Sequence, residues 1–140
     1  MLFRSVIDQG ARMNMPNTHY LNQTARTAAL INNADVVIGL ELSDYWATVN
    51  SFVDNGADDI GINESKIKPG TKLIGINATP LVTKSNYQDF QRFQVLDVDM
   101  VGDAEATLPA LIEAVKRLLT DDRKQTIQAR AAKLDRKSVV

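Results

Sequence analysis

The sequence contains no cysteine and one histidine, His19. The missing thiols exclude disulfides, cysteine nucleophiles and cysteine-ligated metals, and a single histidine cannot supply a multi-histidine metal site. We therefore expect no metal site in this chain. The sequence also lacks a run of about 18 apolar residues, the length that spans a bilayer. Because the first residues lack the apolar core of a signal peptide, we expect a cytoplasmic protein that does not contact a membrane.

Charge of one sign is not in excess either. The chain has 16 basic and 17 acidic residues, which are mixed along its length and give a formal net charge of −1. Such a chain presents no strong field to nucleic acid or to an anionic surface, so we expect neither as a partner. With 140 residues, of which 44% are hydrophobic, it can form one domain with a buried core.

A continuous apolar run at residues 34–42 (ADVVIGLEL) is the strongest strand signal in the chain. A run rich in β-branched residues, without alternation, is typical of a strand buried on both faces of a parallel sheet. Gly39 lies near the carboxyl end of this predicted strand, where open α/β sheets bind their ligands. The pattern indicates a fold class but no reaction.

Predicted strands and helices alternate around this run. We predict helices at 22–32, 43–53, 103–119 and 121–134, and strands at 71–77 and 94–101. This alternation predicts an α/β fold, a Rossmann-like parallel sheet flanked by helices. Val6–Asp8 resembles the tail of a strand, so we expect the sheet to be incomplete at the amino terminus. We expect Asp54–Pro69 to be a surface connection and Pro109 to kink its helix or separate the first turn.

Several polar residues and glycines are predicted near the carboxyl ends of strands. Gly39, Glu41 and Asn77 follow or end the two apolar strands, while Arg12 and His19 belong to a loop at residues 12–20. A lone histidine in a loop is more often structural or solvated than catalytic, and Asn77 also fits an ordinary turn. The aromatic residues of the second predicted helix, Tyr45, Trp46 and Phe52, fit core or interdomain packing and are candidate subunit contacts.

The two ends of the chain have a different character from the rest. Residues 1–5 (MLFRS) and 135–140 (DRKSVV) match translations of the two adapters used in short-read DNA sequencing, each in the correct orientation. We therefore expect both ends to be adapter-derived. The natural insert would comprise residues 6–119, a partial domain, and residues 120–134, a polar helix that leads towards an absent carboxyl-terminal domain.

Four stretches, taken in order, resemble one family. They are the loop Arg12–His19, the strand Ala34–Gly39, the strand Leu73–Asn77, and Asp97–Ala104 with the leucine-rich helix that follows it. Together they are similar to the central domain of thiamine-diphosphate-dependent enzymes of the acetolactate synthase and pyruvate oxidase type. The resemblance covers nearly all of residues 6–134.

The resemblance implies a three-domain parent enzyme that assembles as a homodimer or homotetramer. In that family the amino-terminal domain supplies the glutamate that activates the thiamine ring. The carboxyl-terminal domain binds diphosphate and Mg²⁺ through a Gly-Asp-Gly…Asn-Asn motif, and no Gly-Asp-Gly occurs in this sequence. Thiamine diphosphate and Mg²⁺ are therefore expected only in the full-length parent, and the partners of this chain would be the flanking domains. No catalytic residue is carried over.

Some members of the family bind FAD or an adenine nucleotide in the central domain, and this sequence departs from their pattern. Those members commonly have Gly-Xaa-Arg after the central strand, whereas this chain has Gly39-Leu40-Glu41. They commonly have Ile-Asp-Ile-Asp on the next strand, whereas residues 74–77 read Ile-Gly-Ile-Asn. The missing ribose-binding acid argues against FAD. Gly39, Glu41 and Asn77 remain candidates for a vestigial cofactor pocket or a substrate channel.

We therefore expect a largely structural domain of a thiamine-diphosphate-dependent lyase or carboligase that acts on 2-oxo acids and is inactive as an isolated fragment. A stand-alone Rossmann-like nucleotide-binding module is a second hypothesis, although the Gly-Xaa-Gly-Xaa-Xaa-Gly turn that would favour it is absent from the sequence. A non-catalytic interaction domain is a third. An exposed Trp46 within an apolar patch would favour that third hypothesis.

Overall fold

A computed structural model describes residues 16–19, 21–53, 62–79 and 93–135. The chain divides into two compact units. One is Arg26–Ala106, and the other combines Met1–Ala25 with Thr107–Val140. Over the described ranges, no helix is both long and apolar enough to cross a membrane.

Helices and strands alternate along most of the described chain. In order they are α1 (Thr27–Asn33), β1 (Val36–Leu40), α2 (Tyr45–Val49), β2 (Asn50–Val53), β3 (Ile62–Ser65), β4 (Lys72–Asn77), β5 (Val98–Val101), α3 (Ala104–Leu118) and α4 (Asp121–Asp135). A short 3-10 turn, Thr24–Arg26, precedes α1. The predicted α/β class is confirmed.

The unit Arg26–Ala106 contains a three-stranded parallel sheet in the order β1-β4-β5. The register pairs Gly39 with Gly75 and Ile76 with Met100. The runs 36–38 and 73–76 form the two strands predicted from them. The expectation that the first run is buried on both faces is wrong, because β1 lies at one edge of the described sheet and its Val36 and Leu40 are 36% and 41% exposed. The strands β2 and β3 form a separate antiparallel pair.

Part of the core of this unit lies on the face of the sheet that packs against α2. Tyr45, Val49 and Leu73 form its buried cluster. Partly buried apolar side chains that pack against the cluster are Val37, Leu42, Ile67 and Leu96. The helix α2 begins at a side-chain cap, since Oδ1 of Asp44 accepts a hydrogen bond of 2.9 Å from the N–H of Ala47.

Three sequence predictions for this unit are wrong in their boundaries. The predicted helix 43–53 is a five-residue helix followed by β2, and the predicted surface connection 54–69 contains β3. The aromatic spacing favoured a longer helix. Residues 50–53, the second half of the predicted helix, instead form a strand that pairs with residues 62–65. The strand predicted at 94–101 is shorter and begins at Val98.

The helices α3 and α4 carry most of the described residues of the other unit. Asp103 caps α3, because its Oδ1 accepts a 2.8 Å hydrogen bond from the N–H of Ala106. The helix continues through Pro109, so the predicted separation of its first turn is wrong. The polar helix predicted at 121–134 is present as α4.

Candidate functional site

The carboxyl end of the sheet, by which we mean the residues at and just after the ends of β1, β4 and β5, contains the three predicted pocket residues. Gly39 lies in the last half of β1, Glu41 follows it, and Asn77 ends β4. Because the strands are parallel, their carboxyl ends lie at the same end of the sheet. This is the position at which α/β sheets bind ligands.

Gly39 lies against an aromatic ring of the same chain. A Cβ atom built on Gly39 would lie 2.6 Å from Cε2 of Tyr45 and 3.2 Å from Cδ2 of Leu42. Both distances are shorter than ordinary van der Waals contact, so only glycine leaves room for the ring. The group that approaches the backbone of Gly39 closely is therefore the ring of Tyr45.

The hydroxyl of Tyr45 links β1 to β4. It lies 2.9 Å from the carbonyl oxygen of Val37 on β1 and 3.1 Å from that of Ile74 on β4, so its single O–H is shared between these two acceptors. Burial raises the pKa of this phenol well above its ordinary value. Tyr45 is therefore a neutral, structural donor.

Glu41 uses its carboxylate to join the ends of three elements. Its two oxygens accept hydrogen bonds of 3.2 and 3.1 Å from the N–H of Ala78, directly after β4. One of them also accepts a 3.0 Å bond from the N–H of Ala104, the first residue of α3. The backbone of Glu41 has φ of 49°, a left-handed conformation that is unfavourable for a residue with a side chain. A carboxylate at the start of a helix also suits the helix dipole.

Asn77 is buried, with 5% of its surface exposed, and both ends of its amide are used. Its Nδ2 donates a 3.1 Å bond to the carbonyl of Leu42, and its Oδ1 accepts a 2.8 Å bond from the N–H of Thr79. The backbone carbonyl of Asn77 accepts from the N–H of Gly102 at 3.1 Å. The turn interpretation of Asn77 therefore fits these contacts.

Of the two loop candidates, only His19 falls within the described residues. Arg12 lies outside the described residues. His19 belongs to the other compact unit, where its Nδ1 accepts a 3.2 Å hydrogen bond from the N–H of Leu21. This contact within a turn is what a structural histidine makes.

Sequence reasoning missed the role of Tyr45 at this site and placed Trp46 among candidate contacts. Tyr45 is 5% exposed and Trp46 is 6% exposed, so the core interpretation holds for both residues and the subunit-contact interpretation is wrong. The exposed tryptophan that would favour an interaction domain is therefore not found. The side chain of Phe52 lies outside the described residues. A glycine in the strand, followed six residues later by tyrosine, was the signal available for Tyr45.

The polar side chains of this arrangement, Glu41 and Asn77, bond to their own chain. Across the described ranges, no group of three or more His, Cys, Asp or Glu residues could hold a metal ion. Comparison of the chain with family models, curated proteins and solved structures finds no match.

Proposed function

We propose that this chain is a largely structural α/β domain from a thiamine-diphosphate-dependent lyase or carboligase that acts on 2-oxo acids. The thiamine-enzyme part of this proposal rests on the four ordered stretches of sequence given above. The structural part rests on one observation: Glu41 and Asn77 at the carboxyl end of the sheet bond to their own chain, and the ring of Tyr45 lies against Gly39. Side chains that bond to the chain itself are not free to bind a dinucleotide.

The residues present do not fit the family's cofactors. The sequence lacks the Gly-Asp-Gly that begins the diphosphate and Mg²⁺ motif. A dinucleotide would need space at Gly39, which the ring of Tyr45 occupies, and a carboxylate in place of Asn77 for the ribose hydroxyls. We therefore place thiamine diphosphate and Mg²⁺ in flanking domains of the parent. The contribution of this chain would be to position those domains and to support a homodimer or homotetramer.

Sequencing the source DNA with long reads across both ends of the insert tests the thiamine part. We expect the reading frame to continue downstream into Gly-Asp-Gly…Asn-Asn and upstream into a domain with the activating glutamate. A genomic frame that starts at Met1 and stops after Val140 would contradict the proposal. If the reading frame continues in both directions, assays with 2-oxo acids should use the full-length protein.

Nucleotide titration tests the structural part. Adding FAD or ADP to the isotope-labelled 140-residue chain should leave the amide NMR signals of Gly39, Ala78 and Ala104 unchanged. A saturable shift of these signals would overturn the structural part and favour the stand-alone nucleotide-binding module. The matched control is Glu41→Gln, which tests whether any shift depends on the carboxylate.

A further inference from the structure

The helix α3 carries an apolar stripe whose later part is exposed to solvent. Ile112, Val115 and Leu118 are 44%, 37% and 79% exposed. The full stripe contains Leu108, Leu111, Ile112, Val115 and Leu118. The spacing of three and four residues places these side chains along one side of the helix, as in the seam of a coiled coil. An exposed stripe of this kind marks an interaction surface.

Charges beside the stripe are arranged so that the helix is complementary to itself. Glu105 lies in the first turn and Lys116 in the last turn. With 3.6 residues per turn, both lie within one flank of the stripe, whereas Arg117 lies on the opposite side of the helix from Leu108. In an antiparallel pair of identical helices, equivalent flanks face each other. Glu105 of each copy would then lie near Lys116 of the other.

We propose that α3 pairs in antiparallel orientation with α3 of a second copy of this chain. The two-fold axis passes beside Leu111 and Ile112, which brings Leu108 of one copy opposite Val115 of the second copy. The apolar stripe is buried at the centre, and two Glu105–Lys116 pairs lie at its ends. The side chain of Lys116, which lies 2.8 Å from Glu113 within its own helix, is 63% exposed and has further donors for a second acid. This proposal does not rest on the thiamine resemblance.

Sedimentation of the full 140-residue chain over a concentration range of about 1 to 200 μM tests the pairing. A contact of this size is expected to give a weak dimer, with a Kd of roughly tens of micromolar. The substitution Ile112→Glu should abolish the dimer, with circular dichroism used to verify that the helices remain. A chain that is monomeric throughout the range would overturn the proposal. It would favour packing of another segment of the same polypeptide on the apolar stripe.

Charge-reversal variants test whether the two α3 helices of the dimer are antiparallel. Glu105→Lys and Lys116→Glu should each weaken the dimer about tenfold, because both symmetric contacts become repulsive. The double variant Glu105→Lys/Lys116→Glu should restore association. Arg117→Glu changes the net charge as much as Lys116→Glu does, but on the other side of the helix, so it should leave the Kd within about twofold. A dimer that is insensitive to all of these changes would overturn the proposal.

Discussion

The amino and carboxyl ends of the three-stranded sheet carry different kinds of polar contact. At the amino end, Lys68 pairs with Asp35 at 2.5 Å and Lys72 with Asp97 at 2.6 Å, through side chains that are between 36% and 65% exposed. At the carboxyl end, the side chains of Glu41 and Asn77 bond to backbone groups, and the amide of Asn77 is buried.

The difference shows where the stability of the sheet depends on particular residues. Exposed ion pairs contribute little to the free energy of unfolding, because water and salt screen their charges. Hydrogen bonds to buried backbone groups contribute more, since removing one partner leaves the other without compensation. Substitutions at the carboxyl end should therefore destabilise the protein more than substitutions at the amino end do.

The largest effect is expected for Gly39→Ala. The added Cβ would meet the buried ring of Tyr45 at 2.6 Å, so we expect a loss of about 3 kcal/mol in the free energy of unfolding. The matched control is Gly75→Ala, its partner in the register. There the added Cβ meets the terminal Cδ1 of Leu96, also at 2.6 Å, and a flexible side chain can move. Urea denaturation that found equal losses for both variants would contradict the constraint from Tyr45.

A smaller loss is expected for Asn77→Ala. Truncation removes the donor for Leu42 and the acceptor for Thr79, which should lower the free energy of unfolding by about 2 kcal/mol. Asn33→Ala is the control, because Asn33 also donates to a backbone carbonyl, that of Ala29, but is exposed. We expect the control to change stability by about 0.5 kcal/mol. Equal effects in thermal or urea unfolding would mean that burial of Asn77 does not matter.

Two substitutions at Glu41 distinguish the contribution of its carboxylate to stability from the cost of its left-handed backbone. Glu41→Ala should lower the free energy of unfolding by about 1 to 2 kcal/mol, because Ala78 and Ala104 lose an acceptor. Glu41→Gly loses the same carboxylate but tolerates φ of 49°, so it should be more stable than the alanine variant by about 1 kcal/mol. If the alanine variant were the more stable of the two, the left-handed backbone at residue 41 would be contradicted.

The smallest effect is expected at the amino end and depends on pH. The hydrogen bond from Lys72, followed by that from the N–H of Leu73, lowers the pKa of Asp97 in the folded state. Its contribution to stability is therefore complete above the unfolded-state pKa of about 3.9 and is lost as the pH falls through the folded-state pKa. Unfolding of Asp97→Asn should differ from that of the parent chain at about pH 6 and converge with it in acid. The exposed Glu64→Gln serves as control, and a difference that grows in acid would contradict the sign.

Much of the fold could be predicted from local sequence patterns. The runs that became β1 and β4 are continuous apolar segments, and the caps Asp44 and Asp103 act on residues only three positions away. The strand β2 could not be predicted in this way. Its residues continue the helical spacing of Tyr45 and Trp46, and their partner strand β3 begins nine positions after β2 ends.

The candidate site was predictable in its position but not in its contacts. Gly39, Glu41 and Asn77 lie near the ends of apolar strands, and that is enough to place them at the carboxyl end of a parallel sheet. The partners of Glu41 are 37 and 63 residues away in sequence, so no local pattern indicates them. Tertiary packing decides that these residues bond to their own chain.

Hydrogen exchange of the Ala78 and Ala104 amides, followed by NMR, tests the occupied carboxyl end most directly. Both N–H groups donate to the Glu41 carboxylate, so both should exchange slowly in the parent chain. In Glu41→Gly both should exchange about tenfold faster, while amides within β1 and β4 keep their protection. Equal exchange rates in the two proteins would contradict the account, because the carboxylate would then not hold the ends of the sheet.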